Sequence, residues 1–176
     1  MSTVFPIFLE EVFQLRQIVN TDINNIFLGL SHPDIVKYYG VNYSSLSDTQ
    51  EQMKWFAKLE ENGTGIWWAI TSHQNSDFYG AIGFNNLSKV HKKAEIGFWL
   101  LPEYWGKGII KKAADLVCNY AFSELKLHRI EALVETENKN SKRLLNKLNF
   151  NLEGTFVDCE IKNGNFISLD CYAKLH

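Results

Sequence analysis

The sequence predicts a mixed α/β fold of α+β type, a sheet with several antiparallel neighbours and helices packed against it. Three observations lead there. Short β-rich runs end in turn signals that join them as hairpins, and amphipathic segments with helical apolar spacing lie between them. No linker, internal repeat or low-complexity tract divides the 176 residues, so residues 1–176 are expected to form one domain. A chain of that length buries roughly 70% of its unfolded surface, enough for one core without metals or crosslinks.

The elements follow in order. "TDINNIFLGLSHPDIVKYYG" predicts a helix capped by Thr21, then a short one with Pro33 at its first position, where the missing N–H costs nothing, stopped by Gly40. "SLSDTQEQMKWFAKLEENGTG" predicts a helix with Ser47 and Gln50 as a capping box, Met53, Phe56 and Leu59 as its apolar face, and Asn62-Gly63 as terminator. "GIWWAITS" and "DFYGAIGFNNL" read as a hairpin across "HQNS", and "KAEIGFWLL" as a third strand. From Gly108 to Leu125 the residues Ile109, Ala113, Val117, Ala121 and Leu125 recur every fourth position, one stripe of an amphipathic helix flanked by Cys118 and Tyr120. "RIEALVET" is a strand and "NSKRLLNKLNF" a helix. "EGTFVDCEIKNGNFISLDCYAKL" is two strands joined at Asn163-Gly164, the type I′ hairpin signature.

Composition removes several functions. Hydrophobic residues at 45% and charged ones at 22% describe a globular chain rather than a disordered one. A net charge of -2 argues against a surface that neutralises nucleic acid. The N-terminus "MSTVFPIFLEEVF" lacks a basic flank and a cleavage site, and no apolar run approaches the roughly 18 residues of a membrane span, so no membrane is expected. Three cysteines, Cys118, Cys159 and Cys171, show no CxxC or disulfide spacing, which points to the cytoplasm. The five histidines form no HExxH, no Cys/His pair has zinc spacing, and GxSxG is missing; no metal is expected.

The informative stretch is "LPEYWGKGIIKKAADL", where a strand runs into two glycines at the start of a helix. Such a turn exposes unpaired N–H groups at the positive end of the helix dipole, a seat for phosphate oxygens. A Walker loop would need GxxxxGK[ST], which does not occur. The dinucleotide pattern GxGxxG is met at Gly106 and Gly108 but not at Lys111, and the turn, beyond residue 100 and after hairpin-type strands, is not expected to start a βαβ unit, which weighs against a nucleotide-dependent oxidoreductase. A tight turn with no ligand is the bland alternative.

The wider context, "AEIGFWLLPEYWGKGIIKKAADLVCNYAF", "RIEALVETENKNSKRLLNKLNF" and "LEG", resembles the GNAT superfamily of acyl-CoA N-acyltransferases, in particular its RimJ/RimL-like branch. That resemblance implies the GNAT fold, a mixed, mostly antiparallel sheet of about seven strands flanked by helices, with acetyl-CoA as co-substrate. The family consensus [QR]xxGx[GA], which wraps the coenzyme A pyrophosphate, falls on Trp105, Gly106, Lys107, Gly108, Ile109 and Ile110. Trp105 stands for Gln or Arg, and Ile110 for a small residue that keeps clear of the cofactor. The resemblance further implies that Trp99, Leu100 and Leu101 pair their backbone with the pantetheine arm as a mock strand. It places Asn138 and Ser141 of "NKNS" at the cofactor, although both are also good helix caps. Asn149 takes the usual glycine slot as a left-handed cap. Lys107, Lys111 and Lys112 are either a steering patch or a solvated helix face.

For the chemistry, an amine attacks a thioester only when neutral. At pH 7 that form is of the order of one in two thousand for a lysine side chain and about one in six to eleven for an α-amine, so an N-terminus needs only a modest base. Glu95, on a strand face with Gly97 and Trp99, is the candidate base, directly or through water; its alternative is a surface carboxylate. The tyrosine acid found in many family members is replaced by Leu145, and Tyr172 is the substitute considered, against a core role. A backbone N–H between Trp99 and Leu101 is expected to stabilise the oxyanion. Tyr38, Tyr39, Trp67 and Trp68 are candidates for the acceptor wall, with at least one of each adjacent pair expected in the core. The partner is thus an amine acceptor, a protein N-terminus or a small molecule, with monomer and homodimer both open. The rival reading is a non-catalytic acyl-CoA-binding domain, for which Leu145 and Ile110 speak.

Overall fold

The computed structural model describes residues 5–176. Strands β1 (Phe8–Leu9) and β2 (Gln14–Gln17) precede helices α1 (Ile23–Leu30), α2 (Pro33–Val36) and α3 (Leu46–Asn62). Strands β3 (Ile66–Thr71), β4 (Phe78–Ser88) and β5 (Lys93–Leu100) follow as a meander, then helix α4 (Ile109–Ser123), strand β6 (Arg129–Glu135) and helix α5 (Lys139–Lys147). A hairpin of β7 (Asn151–Lys162) and β8 (Asn165–Leu175) ends the chain. The strands form one sheet in the order β1-β2-β3-β4-β5-β6-β8-β7, with the two-residue β1 bringing the count to eight. All neighbours are antiparallel except β5 and β6, which α4 connects as a parallel crossover, so the glycine turn does open a β-α-β unit, contrary to the sequence expectation. Among the described residues no helix is long and apolar enough to cross a membrane.

Local signals set most of these elements. Pro33 occupies the first position of α2, Gly63 closes α3 at φ 64°, and Asn163 and Gly164 take φ 50° and 79° in the final hairpin. Two caps differ from expectation. Residues 20–22 form a 3₁₀ turn and Asp22, not Thr21, sits at the head of α1; its carboxylate accepts from the Val19 N–H at 2.9 Å and from the Arg16 guanidinium at 2.8 Å through both oxygens. A bidentate charged partner on β2 outweighs what a hydroxyl offers. Helix α3 begins two residues early, with Ser45 rather than Ser47 accepting from the Asp48 N–H at 3.1 Å. Helix α2 ends at Val36, so Gly40 lies beyond it, and α4 ends at Ser123, before Leu125.

Strand alternation divides the core into two layers. Trp68 and Ile70 of β3 and Ala94, Ile96 and Leu100 of β5 pack with Ile109, Ala113 and Val117 of α4 on one face. Trp67 and Ala69 of β3 and Trp99 of β5 pack with Ile26 and Leu30 of α1 on the other. Gly29 makes that second layer possible: a methyl there would fall 2.1 Å from Cζ3 of Trp99.

The feature that positions the site is the parting of β5 and β6. Their parallel register covers Lys93↔Arg129, Ala94↔Ile130 and Glu95↔Glu131 and then stops. Beyond it β5 stays with β4 as far as Leu100, and β6 stays with β8 as far as Glu135. A cleft opens between them. Helix α5 is held at its far wall by Lys142, which reaches Asp170 of β8 at 2.6 Å and the Thr136 carbonyl at 3.1 Å. Burial by itself would raise the Asp170 carboxyl, but hydrogen bonds from Lys142 and from Thr155 outweigh it and hold the group below its ordinary range.

Two outcomes follow for stability. Gly29→Ala should lower stability by about 1–3 kcal/mol through overpacking against Trp99, read as a fall in thermal midpoint. Asp170→Asn should lose about 1–3 kcal/mol near neutral pH by breaking its pair with Lys142. Because the folded carboxyl titrates below its reference of 3.8, its stabilisation is present above that value and fades as pH falls through the depressed one. Urea unfolding of both proteins should therefore converge in acid.

Candidate functional site

The cleft between β5 and β6 has a volume of about 640 Å³. One end is the glycine turn, the other the mouth between β3, β5 and α2. The turn is built from its sequence. After β5 a short 3₁₀ turn, Pro102–Tyr104, reverses the chain, and the Trp105 indole donates to the Leu100 carbonyl at 2.7 Å, tying the turn to the strand end. Gly106 and Gly108 hold φ 73° and 77°, and a methyl on either would meet nothing within 4 Å. The dihedral, not packing, selects glycine there. Gly108 caps α4 without a side-chain bond, and among the described residues none accepts from the N–H groups of Gly106, Lys107 or Gly108. With Ile109 and Ile110 at the first turn of α4, these amides form an open concave donor set that suits a diphosphate.

The wall beyond is strand backbone. The Leu101 N–H donates to the Tyr79 carbonyl at 2.8 Å, so by the two-residue alternation of a strand the Trp99 N–H also turns to β4. The N–H groups of Phe98 and Leu100 therefore turn to the cleft, while that of Ile96, on the same edge, is taken by the last rung of the β5–β6 ladder. Of the three residues expected to offer amides, only Leu100 faces the cleft; Phe98 is the partner that strand parity supplies. Opposite stand Ala132, Leu133 and Val134 of β6 and the start of α5. There Asn138 Oδ1 accepts from the Ser141 N–H at 3.1 Å, and both residues also line the cleft, so the cap and the wall coincide. Asn149 takes φ 60° behind α5.

Other side chains sort by contact. Ile110 is half-buried, packing on the core while lining the cleft. Lys107 lies over the Tyr104 ring at 5.4 Å and Lys111 pairs with Asp115 at 2.8 Å, so two of the three lysines are already engaged on the protein surface. Leu145 is fully buried in the main core.

At the mouth, half-buried Glu95 lines the cleft and accepts from Asn86 Nδ2 at 2.9 Å. Asn86 holds φ 52° within an irregularity of β4, a contact that sequence does not signal. Tyr38 and Tyr39 both line the cleft, and burial, followed by the nearby Tyr43 and Glu95, pushes the Tyr39 phenol well above its usual range, so it stays protonated. Trp67 lines the cleft while Trp68 is fully buried, its indole donating to the Pro6 carbonyl at 2.8 Å. Trp55, partly exposed and packed on the edges of the Phe56 and Trp67 rings, joins the wall.

Tyr172 requires a correction. It is 3% exposed in the main core, paired with Ala132 and Leu152, and is absent from the cleft wall, so it is not placed to give a proton there. Burial raises the Cys118 thiol to about 12, which makes it a core residue and not a nucleophile. No cluster of three or more His, Cys, Asp or Glu that could hold a metal occurs among the described residues.

Known proteins share this fold. The profile of the acetyltransferase (GNAT) domain matches residues 13–151. The N-acetyltransferase YoaA of Bacillus subtilis is 35% identical over 171 residues, 97% of each chain. The solved structure of RimL, a ribosomal-protein alpha-N-acetyltransferase in complex with coenzyme A, superposes with a TM-score of 0.83 at 21% identity, covering 94% of this chain and 95% of that one. The spermidine N-acetyltransferase of Vibrio cholerae, in complex with CoA and spermine, gives 0.83 at 23% identity, covering 94% and 96%. With that match over most of the chain, and with a glycine turn leading into a splayed pair of strands, the protein belongs to the GNAT family of N-acetyltransferases.

Proposed function

We propose that the protein transfers the acetyl group of acetyl-CoA to a primary amine, most fittingly the α-amine of a protein N-terminus or of a small molecule. One observation carries this reading: a single continuous cleft runs from the free amides of the glycine turn to Glu95. In it Gly106, Lys107, Gly108, Ile109 and Ile110 offer backbone amides to the diphosphate. The pantetheine arm extends along the open edge of β5 at Phe98 and Leu100, beside Asn138 and Ser141. The thioester then lies near Glu95, where the acceptor enters between Tyr38, Tyr39 and Trp67.

The amine nitrogen attacks the thioester carbonyl carbon, the C–S bond breaks, and the coenzyme leaves as a thiolate. With a pKa near the ~8.5 of cysteine, that group departs without a strong acid, which fits a site where neither Leu145 nor Tyr172 supplies one. The amine proton passes to Glu95, directly or through water. A cleft-facing amide of β5 receives the developing oxyanion. Among the described residues Asp34 and Glu95 are the two acidic ones lining the cleft, a low count for a tricationic polyamine and sufficient for an acceptor with one amine.

The direct test is mass spectrometry of a peptide and amine library incubated with protein and acetyl-CoA; absence of any acetylated product would end the proposal. Glu95→Gln should lower kcat/KM by roughly tenfold or more and remove the lower limb of the pH–rate profile; an unchanged profile would acquit Glu95. Gly108→Ala should weaken the donor specifically. At one hundred times the wild-type Kd, acetyl-CoA adds about 2.7 kcal/mol to the wild-type stability, and the variant should show a clearly smaller thermal shift.

A further inference from the structure

The free edge of β5 is closed at both ends, and one of the closures is a side chain. In an antiparallel pair the N–H and C=O of a residue point to the same side of the strand. The Leu101 N–H donates to Tyr79 of β4, so both polar groups of Leu100, and both of Phe98, lie on the side of the cleft. Among the described residues the Phe98 N–H, the Phe98 carbonyl and the Leu100 N–H have no partner. The Leu100 carbonyl does have one. It accepts from the Trp105 indole Nε1 at 2.7 Å, across the 3₁₀ turn Pro102–Tyr104 that folds the chain back over the strand end. Trp105 is 44% exposed and lines the cleft beside Gly106, so this bond is made at the cleft wall and not in the core.

The capped carbonyl changes what the edge offers. An extended arm with amide groups pairs best where one strand residue presents a donor and an acceptor together. Without the indole, Phe98 and Leu100 would present the same pattern two residues apart, and the arm could settle in either of two registers about 7 Å from each other. With it, an amide set against Leu100 leaves its own N–H without an acceptor, which costs stability in a site shielded from water. Toward Glu95 the Ile96 N–H is already held by the last rung with β6. Phe98 is left between two closed positions.

We infer that Trp105 is a positioning residue whose indole ends the open edge of β5, so that Phe98 alone on that edge both gives to and accepts from an amide of the acyl carrier, and the thioester is held at a fixed reach from Glu95. The ligand chemistry is a secondary amide on an extended chain. The inference rests on the reading above that this cleft takes acyl-CoA.

The probe is S-acetylpantetheine, which keeps the arm and thioester of acetyl-CoA and lacks the diphosphate, so it reports the strand edge and not the glycine turn. Trp105→Phe should lower kcat/KM for S-acetylpantetheine about fivefold, and at least as much as for acetyl-CoA, whose diphosphate still anchors the arm against slipping. A fall confined to acetyl-CoA would make Trp105 a fastener of the glycine turn, and no fall with either donor would deny it a role; each result overturns the inference. A second arm needs neither turnover nor a stable variant. In wild-type protein labelled with ¹⁵N-tryptophan, saturation with CoA should slow solvent exchange of the Trp105 indole N–H several-fold, because the arm lies over a bond that stays made. Exchange that is unchanged or faster would show the arm passing elsewhere or displacing the indole, and overturns the inference while the proposed function stands. If calorimetry finds no binding of CoA, the proposed function itself fails, and the inference with it.

Discussion

Three residue pairs of parallel ladder hold β5 to β6, from Lys93 to Glu95, and the rest of the site exists because the ladder goes no further. Each strand is retained by its other neighbour, β5 by β4 and β6 by β8, so the sheet stays continuous at one end and opens at the other. Register between β4 and β5 shifts between Asn85 and Ser88, beside the last β5–β6 pair, and such irregularities sharpen local twist where a ladder terminates. The backbone groups left on the open edge must find partners, and an extended substrate arm provides them in the form that a missing strand would.

The opening also explains why glycine recurs around it. Gly106 and Gly108 have nothing near them and are present for their left-handed dihedrals, which turn amides outward at the head of α4. Gly29 and Gly97 have ordinary backbones and are present for space, each giving way to one indole. The same residue type therefore does two unrelated jobs at the two ends of one cleft. A close-packed interior leaves no slack for a methyl beside an aromatic ring, whereas a φ near 75° excludes side chains on steric grounds even in open space.

Strong periodic segments and turn dipeptides were readable directly: the four-residue repeat of α4, the alternation of Trp67 and Trp68 across β3, and Asn163-Gly164 in the last hairpin. Caps were less so. Ser44, Ser45 and Ser47 all lie within reach of the same helix start, and the first turn is decided by which serine adopts an extended backbone, Ser45 at φ -149°. Thr21 lost its place to Asp22 because Arg16, six residues earlier on β2, folds back onto the Asp22 carboxylate, a pairing that capping preferences alone do not signal. At the site, Glu95 and the glycine turn were visible from motif and strand face. Asn86 beside Glu95, the cleft-facing parity of Phe98, and the burial of Tyr172 were not.

What the amino-acid order settles by itself is short-range: helical and strand periodicity, the left-handed dihedrals that glycine and asparagine tolerate best, and the donor-rich turn ahead of α4. Those depend on residues a few positions apart, so the chain need not know its own fold. Tertiary structure alone decided where two strands distant in sequence cease to pair, and which tyrosines face the cleft and which lie in the core. Such outcomes turn on contacts between segments tens of residues apart, where packing density and hydrogen-bond supply, rather than local propensity, choose the arrangement.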